Sequence, residues 1–318
     1  MALNNTPLSY IEQFKDDTSG HSLALRLYPE HLNDLNTMLI KGPWHESFSK
    51  YILDNNIEAL YLNFAHKWSC DDYSFLRNLK SVKRLGILDA PSTGLEALEE
   101  MGCLVDLSLS TYSKSKIDFT KLVNLKRCSL TWYKGTENIL SVTSLTHLYI
   151  DEFKTKDFTK LAHLKSLEIL AIKNSNIEDI SCLSALTSLK KLELINCKKL
   201  TDFTPLAGLK NLEWLSVDGT KEVGNIEFVR NMTSLRILDI SYTNNIESIE
   251  PLKDLTGLKA VAFVGNKTTI LDGDLSYLTK LPNLALLWLA PRKHYSHKLI
   301  KQAHWDNFDK PDILLAPK

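Results

Sequence analysis

Three histidines, His294, His297 and His304, cluster near the C-terminal end of the 318-residue chain. Histidines three residues apart on one helix face are a geometry that holds zinc. No further ligating group accompanies them, so neither a metal nor another cofactor is expected. Asp272-Gly273-Asp274 starts like a calcium loop but lacks the remaining ligands. The adjacent carboxylates Asp151-Glu152 and Glu99-Glu100 make poor acid–base pairs, because neighbours on a strand point to opposite faces and neighbours on a helix splay apart. The phosphate-cradling pattern G-x-x-x-x-G-K-[ST], the dinucleotide pattern G-x-G-x-x-G and the pattern H-E-x-x-H are absent. Five cysteines (Cys70, Cys103, Cys128, Cys182 and Cys197) have irregular spacing and form no C-x-x-C pair. Free thiols and a reducing compartment are expected from that count. Catalysis is not expected. The remaining chemistry is recognition by aromatic and charged side chains, whose placement depends on a repeat.

The pattern apolar-x-x-apolar-x-apolar recurs eleven times, from Ile57-Leu60-Leu62 through Leu167-Leu170-Ile172 and Leu189-Leu192-Leu194 to Leu284-Leu287-Leu289, with starts 20 to 26 residues apart. Between these motifs, apolar residues step by three, as in Ile177, Ile180, Leu183 and Leu186. That step suits a 3₁₀ turn or a short extended return and leaves little room for a full α-helix in each repeat. One such unit cannot bury its leucines alone, whereas stacked units turn each leucine position into a continuous row and each short strand into part of a parallel sheet.

The segment NIEDISCLSALTSLKKLELINC, Asn176 to Cys197, resembles the leucine-rich repeat family in its 22-residue, internalin and phosphatase-regulator-like subclass. The resemblance covers about residues 51–291. It implies an α/β solenoid: a leucine-rich-repeat horseshoe with about 11–12 parallel strands on the concave face and 3₁₀ or short helical turns on the convex side. The family usually has Asn at the ninth repeat position, where its side chain bonds neighbouring backbone. Here only Asn266 supplies it, with Ser175, Cys197, Thr220 and Thr243 as small substitutes. Ala65, Ala90, Tyr112, Tyr133 and Phe153 do not fit that role, so a less regular inner ladder is expected in the N-terminal half.

Residues 1–50 read as an N-terminal cap, with Leu23-Ala-Leu25-Arg-Leu27 as an irregular twelfth repeat and His31–Ile40 as a helical segment through Leu32, Leu35 and Leu39. Residues 292–318 read as a C-terminal cap in which Leu299, Ile300, Ala303 and Trp305 cover the last repeat; the alternative is a partner-binding peptide.

Strand alternation sends the first, fourth and sixth repeat positions inward and leaves the third, fifth and seventh facing solvent on the concave sheet. An early zone there is small and hydroxylic with Arg84 and Arg127, and a late zone from Ala260 to Ala290 is apolar, which the tail is expected to cover. The middle zone carries aromatics and both charge signs: His147, Tyr149, Asp151, Lys173, Lys191, Glu193, Trp214, Asp218 and Asp239, with Trp132 and Tyr242 just beyond. An exposed Trp214 beside Lys191, Glu193 and Ile237 has the composition of a protein-binding hot spot. The competing reading is that large residues on such a sheet pack against one another across strands.

Lys plus Arg and Asp plus Glu number 38 each. This balance argues against a nucleic-acid binder and a polybasic membrane-surface protein. The first residues, MALNNTPLSYIEQF, show no basic region followed by an apolar run, which points to the cytoplasm. The resemblance implies protein–protein recognition without catalysis, and a monomer is expected. A cytosolic inhibitor, such as an immunity protein that blocks a toxin, or a regulatory adaptor is the expectation. The alternative is an internalin-like surface protein that binds a glycan or small ligand, with Trp132, Tyr149, Trp214 and Trp288 stacking on sugar rings.

Overall fold

The computed structural model describes residues 11–13, 36–89, 92–155, 158–221, 223–300 and 315–317. The chain divides into two compact units, Met1–Leu145 and Thr146–Lys318.

In the first unit, β1 (Ile11–Gln13) pairs antiparallel with β2 (Thr37–Ile40). Parallel strands β3 (Ala59–Asn63), β4 (Arg84–Leu88), β5 (Asp106–Ser110) and β6 (Arg127–Thr131) then follow in chain order. A helix, α1 (Ser47–Asp54), joins β2 to β3 and buries Phe48 and Ile52. The register aligns Met38, Leu60, Leu85, Leu107 and Cys128 in one buried row. Cys128 therefore fills a leucine site as a small hydrophobe, and its burial pushes the thiol well above its ordinary range.

Residues Thr37–Ile40 overturn part of the expected N-terminal helix, because they form a strand. Leu35-Met38-Ile40 repeats the apolar-x-x-apolar-x-apolar motif 22 residues before Ile57. Met38 and Ile40 pair in register with Leu60 and Leu62, and this burial decides between the two periodicities. The segment Leu23–Leu27 lies outside the described residues.

In the second unit, β7 (His147–Asp151), β8 (Ile169–Lys173), β9 (Lys191–Ile195), β10 (Trp214–Asp218) and β11 (Ile237–Asp239) are parallel neighbours. A short strand β12 (Asn245–Ile246) leaves this sheet, and the order continues with β13 (Ala260–Phe263). Strand β14 (Thr269–Ile270) pairs with β12, and β15 (Leu286–Leu289) ends the main order. Leu148, Leu170, Leu192, Leu215, Leu238, Val261 and Leu287 form an unbroken row, each 0% exposed.

The return segments are 3₁₀ turns, such as Thr159–His163, Ser181–Ala185 and Thr204–Gly208. Side chains three apart eclipse in that geometry, which explains the three-residue apolar step: Ile180, Leu183 and Leu186 are all buried. Several turns are started by an acidic or amide side chain that accepts a backbone N–H two residues on. Asp179 accepts from Ser181 at 2.7 Å, Asp202 from Thr204 at 2.9 Å and Asn225 from Glu227 at 2.7 Å. The Ser181 N–H bond holds Asp179 below the usual carboxylate range, and the Thr204 hydroxyl, at 2.7 Å, together with the Thr204 N–H does the same for Asp202.

The small ninth-position residues Ser175, Cys197, Thr220 and Thr243 are all buried. Ser175 replaces the amide directly: its hydroxyl donates to the Phe153 carbonyl at 2.8 Å and accepts from Ile177 N–H at 3.1 Å. Asn266, the apparent family asparagine, is instead exposed. The long repeat between Leu258 and Leu284 shifts the inner position to Thr268, which is buried and donates to the Thr243 and Val264 carbonyls at 3.0 Å. In the first unit Ser113 takes this role, donating to the Ser92 carbonyl and accepting from Ser115 N–H. It sits one residue later than the regular position, so the ladder there is offset.

Strand β16 (His297–Leu299) pairs antiparallel with β17 (Leu315–Pro317). Ile300, expected to cover the last repeat, is 57% exposed, and Ala303 and Trp305 lie outside the described residues. Arg292 and Tyr295 close the last loops instead. The Arg292 guanidinium donates to the Gly265, Asn266 and Thr268 carbonyls, and the Tyr295 hydroxyl accepts from Ile270 N–H.

Replacing Ser175 with Ala removes a donor and an acceptor from a buried ladder, and a cost of about 1–3 kcal/mol is expected. Leu192→Ala opens a cavity in the continuous row and should cost about 2–5 kcal/mol. Urea unfolding of both variants checks the order; equal stability to the wild type would contradict the inferred packing.

Candidate functional site

The outward positions of β9, β10, β11, β13 and β15 stand side by side because the strands are in register. One rung runs Lys191, Trp214, Ile237, Ala260 and Leu286, and the next Glu193, Ser216, Asp239, Ala262 and Trp288. The middle of this surface is a hollow of about 270 Å³. Its lining includes apolar Ile237, Ala260, Ala262 and Val264 and aromatic Trp214, Tyr242 and Trp288. Asp218, Asp239 and Ser241 supply the polar groups.

Side-by-side packing corrects the expectation that these rows are simply solvated. Lys191 is only 2% exposed, and Ile237, Ala260 and Leu286 are buried. Lys191 reaches over Trp214 with its ammonium 4.0 Å from the ring centroid and pairs with Glu193 at 3.0 Å. Burial lowers the affinity of its amine for a proton, while Glu193 acts in the opposite direction. Cation and ring therefore fix one another, and Trp214 is half-buried rather than fully exposed.

Asp239 is held differently. Burial pushes its carboxyl up to about 6, Asp218 and Glu193 push the same way, and a hydrogen bond with Ser241 opposes the rise. Ser241 is itself oriented by accepting Val264 N–H at 3.1 Å. Asp218 is also raised, by burial. The Oδ1 atom of Asp239 and the indole Nε1 of Trp214 are buried without a hydrogen-bond partner among the described residues. A buried polar group left unpaired is unfavourable, so this is the least self-sufficient part of the surface.

Tyr242 adds a backbone irregularity. The eighth repeat position turns out of the strand with positive φ, filled by Asn174, Asn196, Gly219 and Gly265 in four of the repeats. Tyr242 adopts φ 52° at this position and remains 63% exposed. A bulky side chain is strained there, and such strain concentrates at functional sites.

Of the residues expected to form a site, Lys191, Glu193, Trp214, Asp218, Asp239 and Tyr242 come together at or beside the hollow. His147, Tyr149, Asp151 and Lys173 lie on β7 and β8, outside its lining. His147 Nδ1 is 2.8 Å from the Thr146 hydroxyl, and Asp151 accepts from Asn174 at 2.7 Å. Trp132 belongs to the first unit and is buried, 7% exposed, so it does not offer the open ring expected of it. Ser241 was not among the expected site residues, and Trp288 was expected only as a sugar-stacking ring in the glycan-binding alternative, although their seventh and fifth repeat positions place both on this face. The first unit holds a separate charged cluster in which Arg84 and Arg127 both donate to Asp106, at 3.2 and 3.0 Å. His294 and His297 are bonded to the Ile270 carbonyl and the Ser296 hydroxyl, and no metal-ligating group of three forms among the described residues.

No family model and no curated protein matches the sequence. Among solved structures, an internalin (inlF) of Listeria monocytogenes is similar with a TM-score of 0.58 at 23% identity, over 80% of this chain and 81% of that one. A TDR receptor gives 0.58 at 18% identity, over 83% of this chain and 48% of the receptor. The TLR13–ssRNA13 complex gives 0.56 at 20% identity, over 77% of this chain and 41% of that one. Repeat, register and these likenesses show the leucine-rich-repeat solenoid fold, with parallel strands joined by short 3₁₀ turns.

The state of Asp239 has a measurable consequence. Its folded-state carboxyl titrates above its ordinary value of 3.8, so the penalty on the charged form is absent below about pH 4, grows between pH 4 and 6, and is complete above. Asp239→Asn should therefore stabilise the fold by on the order of 2 kcal/mol at pH 7.5. The gain should shrink toward zero at pH 4. Thermal unfolding of both proteins across this range tests the sign, and a gain that grows on acidification would refute it.

Proposed function

We propose that the chain is a non-catalytic protein-binding module that seats a partner protein on the outward sheet face of its second unit, centred on Trp214. The observation that carries this reading is the hollow around Trp214, where a half-buried indole, a half-buried acid with one buried, unpaired oxygen and a strained, exposed tyrosine meet. Interface hot spots concentrate Trp, Tyr and charged anchors in such settings. The contributing residues are Lys191, Glu193, Trp214, Asp218, Asp239 and Tyr242, with His147, Tyr149, Asp151 and Lys173 extending the contact along β7 and β8. Balanced charge favours a protein over a nucleic acid as the partner. Among the described residues no helix is long and apolar enough to cross a membrane. We place the protein in the cytoplasm as a monomeric inhibitor, of the kind that neutralises a toxin, or as a regulatory adaptor.

Trp214→Ala and Glu193→Gln should each lower recovery of the partner by about tenfold or more in affinity purification from the native host, with circular dichroism unchanged. Recovery of the same partner at wild-type levels by both folded variants would refute the proposal.

A further inference from the structure

The lining of the hollow carries charge of one sign only. Asp218 and Asp239 both line it, and Glu193 adds a like charge to Asp239. The neighbouring ammonium, on Lys191, is already held by Glu193 and the Trp214 ring. No lysine or arginine of the described residues forms an ion pair with Asp218 or Asp239. Two desolvated carboxylates thus stand beside aromatic rings, with no cation of this unit to meet them. At about 270 Å³ the hollow falls just below the roughly 300–1,000 Å³ of typical small-molecule pockets and suits a single long side chain.

We infer that this hollow receives an arginine side chain projecting from the partner protein, its guanidinium between Asp218 and Asp239 and its stem against Trp214 and Trp288. This inference rests on the protein-binding reading above and names the chemistry of the partner at that site. A planar fork of N–H donors matches carboxylates and stacks on aromatic rings, which a compact ammonium does less well. The aliphatic stem suits the apolar lining. The unpaired Asp239 Oδ1 gains a donor. The unpaired Trp214 N–H needs an acceptor, which a main-chain carbonyl beside the arginine supplies and a bare cation does not. Both atoms are screened from solvent in the free chain, so seating the arginine involves side-chain rotation of a kind common at interfaces.

The test titrates the full chain with the capped peptide Gly-Gly-Arg-Gly-Gly, its Glu counterpart and methylguanidinium, following the indole N–H resonances of Trp214 and Trp288 by NMR. The Arg peptide should shift both signals saturably and the Glu peptide should not. Asp239→Asn should weaken Arg-peptide binding by about tenfold with the rest of the spectrum preserved. Asp218→Asn serves as the second variant and should also weaken it. Absence of a saturable shift, an equal response to the Glu peptide, or wild-type binding by both variants would overturn the inference. Methylguanidinium binding as tightly as the peptide would overturn the assignment to a protein chain. If the peptides fail while Trp214→Ala still abolishes partner recovery, the arginine inference falls and the binding face stands. If the Arg peptide binds while Trp214→Ala leaves partner recovery intact, the hollow keeps its cation preference and the proposed face falls.

Discussion

The in-register row of buried aliphatic side chains at the fourth repeat position is the constraint on which everything else depends. Each of these residues is too small a core by itself, and each becomes fully buried only because the next strand supplies an equivalent apolar neighbour. Once Leu170, Leu192, Leu215 and Leu238 are aligned, the residues before and after them in every strand are aligned too. The row that closes the core thereby also sets the order of side chains on the opposite face. The hydroxyl ladder and the 3₁₀ turns hold the rest of each coil in the same register.

That coupling explains why Asp239 is tolerated in an unfavourable setting. Its strand is fixed by Leu238 and Ile240, both 0% exposed, so the backbone that carries the carboxylate cannot shift toward water without breaking the core. Lys191 is fixed in the same way by Leu192, but it finds both an anion and a ring. The two charged residues occupy comparable outward positions on nearby strands, and only one is compensated within its unit. A surface built this way carries a local electrostatic deficit beside a well-packed aromatic, a combination that stability alone does not favour.

Much of the fold was legible in the sequence because period and burial reinforce one another at each repeat. Where two periods competed, the reading failed. Leu32, Leu35 and Leu39 satisfy a helical spacing, whereas Leu35, Met38 and Ile40 satisfy the strand motif, and only pairing with β3 decides between them. Asn266 misled because the longer repeat displaces its inner position to Thr268. The site was legible as a set of rows, which is why Lys191, Glu193, Trp214, Asp218, Asp239 and Tyr242 were found together. Depth was not legible. The burial of Lys191 and Trp132, and the closure of the hollow by Trp288 and Ser241, arise from how several strands pack sideways, which a single repeat does not encode.

The parallel pairing described here has a kinetic corollary. Neighbouring strands lie only about 22 residues apart in a chain of 318, so mean contact separation relative to length is roughly 0.07, at the low end associated with helical bundles rather than sandwiches. Each coil closes a short loop before the next begins. A protein organised around a parallel sheet thus has the contact topology of a fast folder, without the long-range pairing that sheets ordinarily impose.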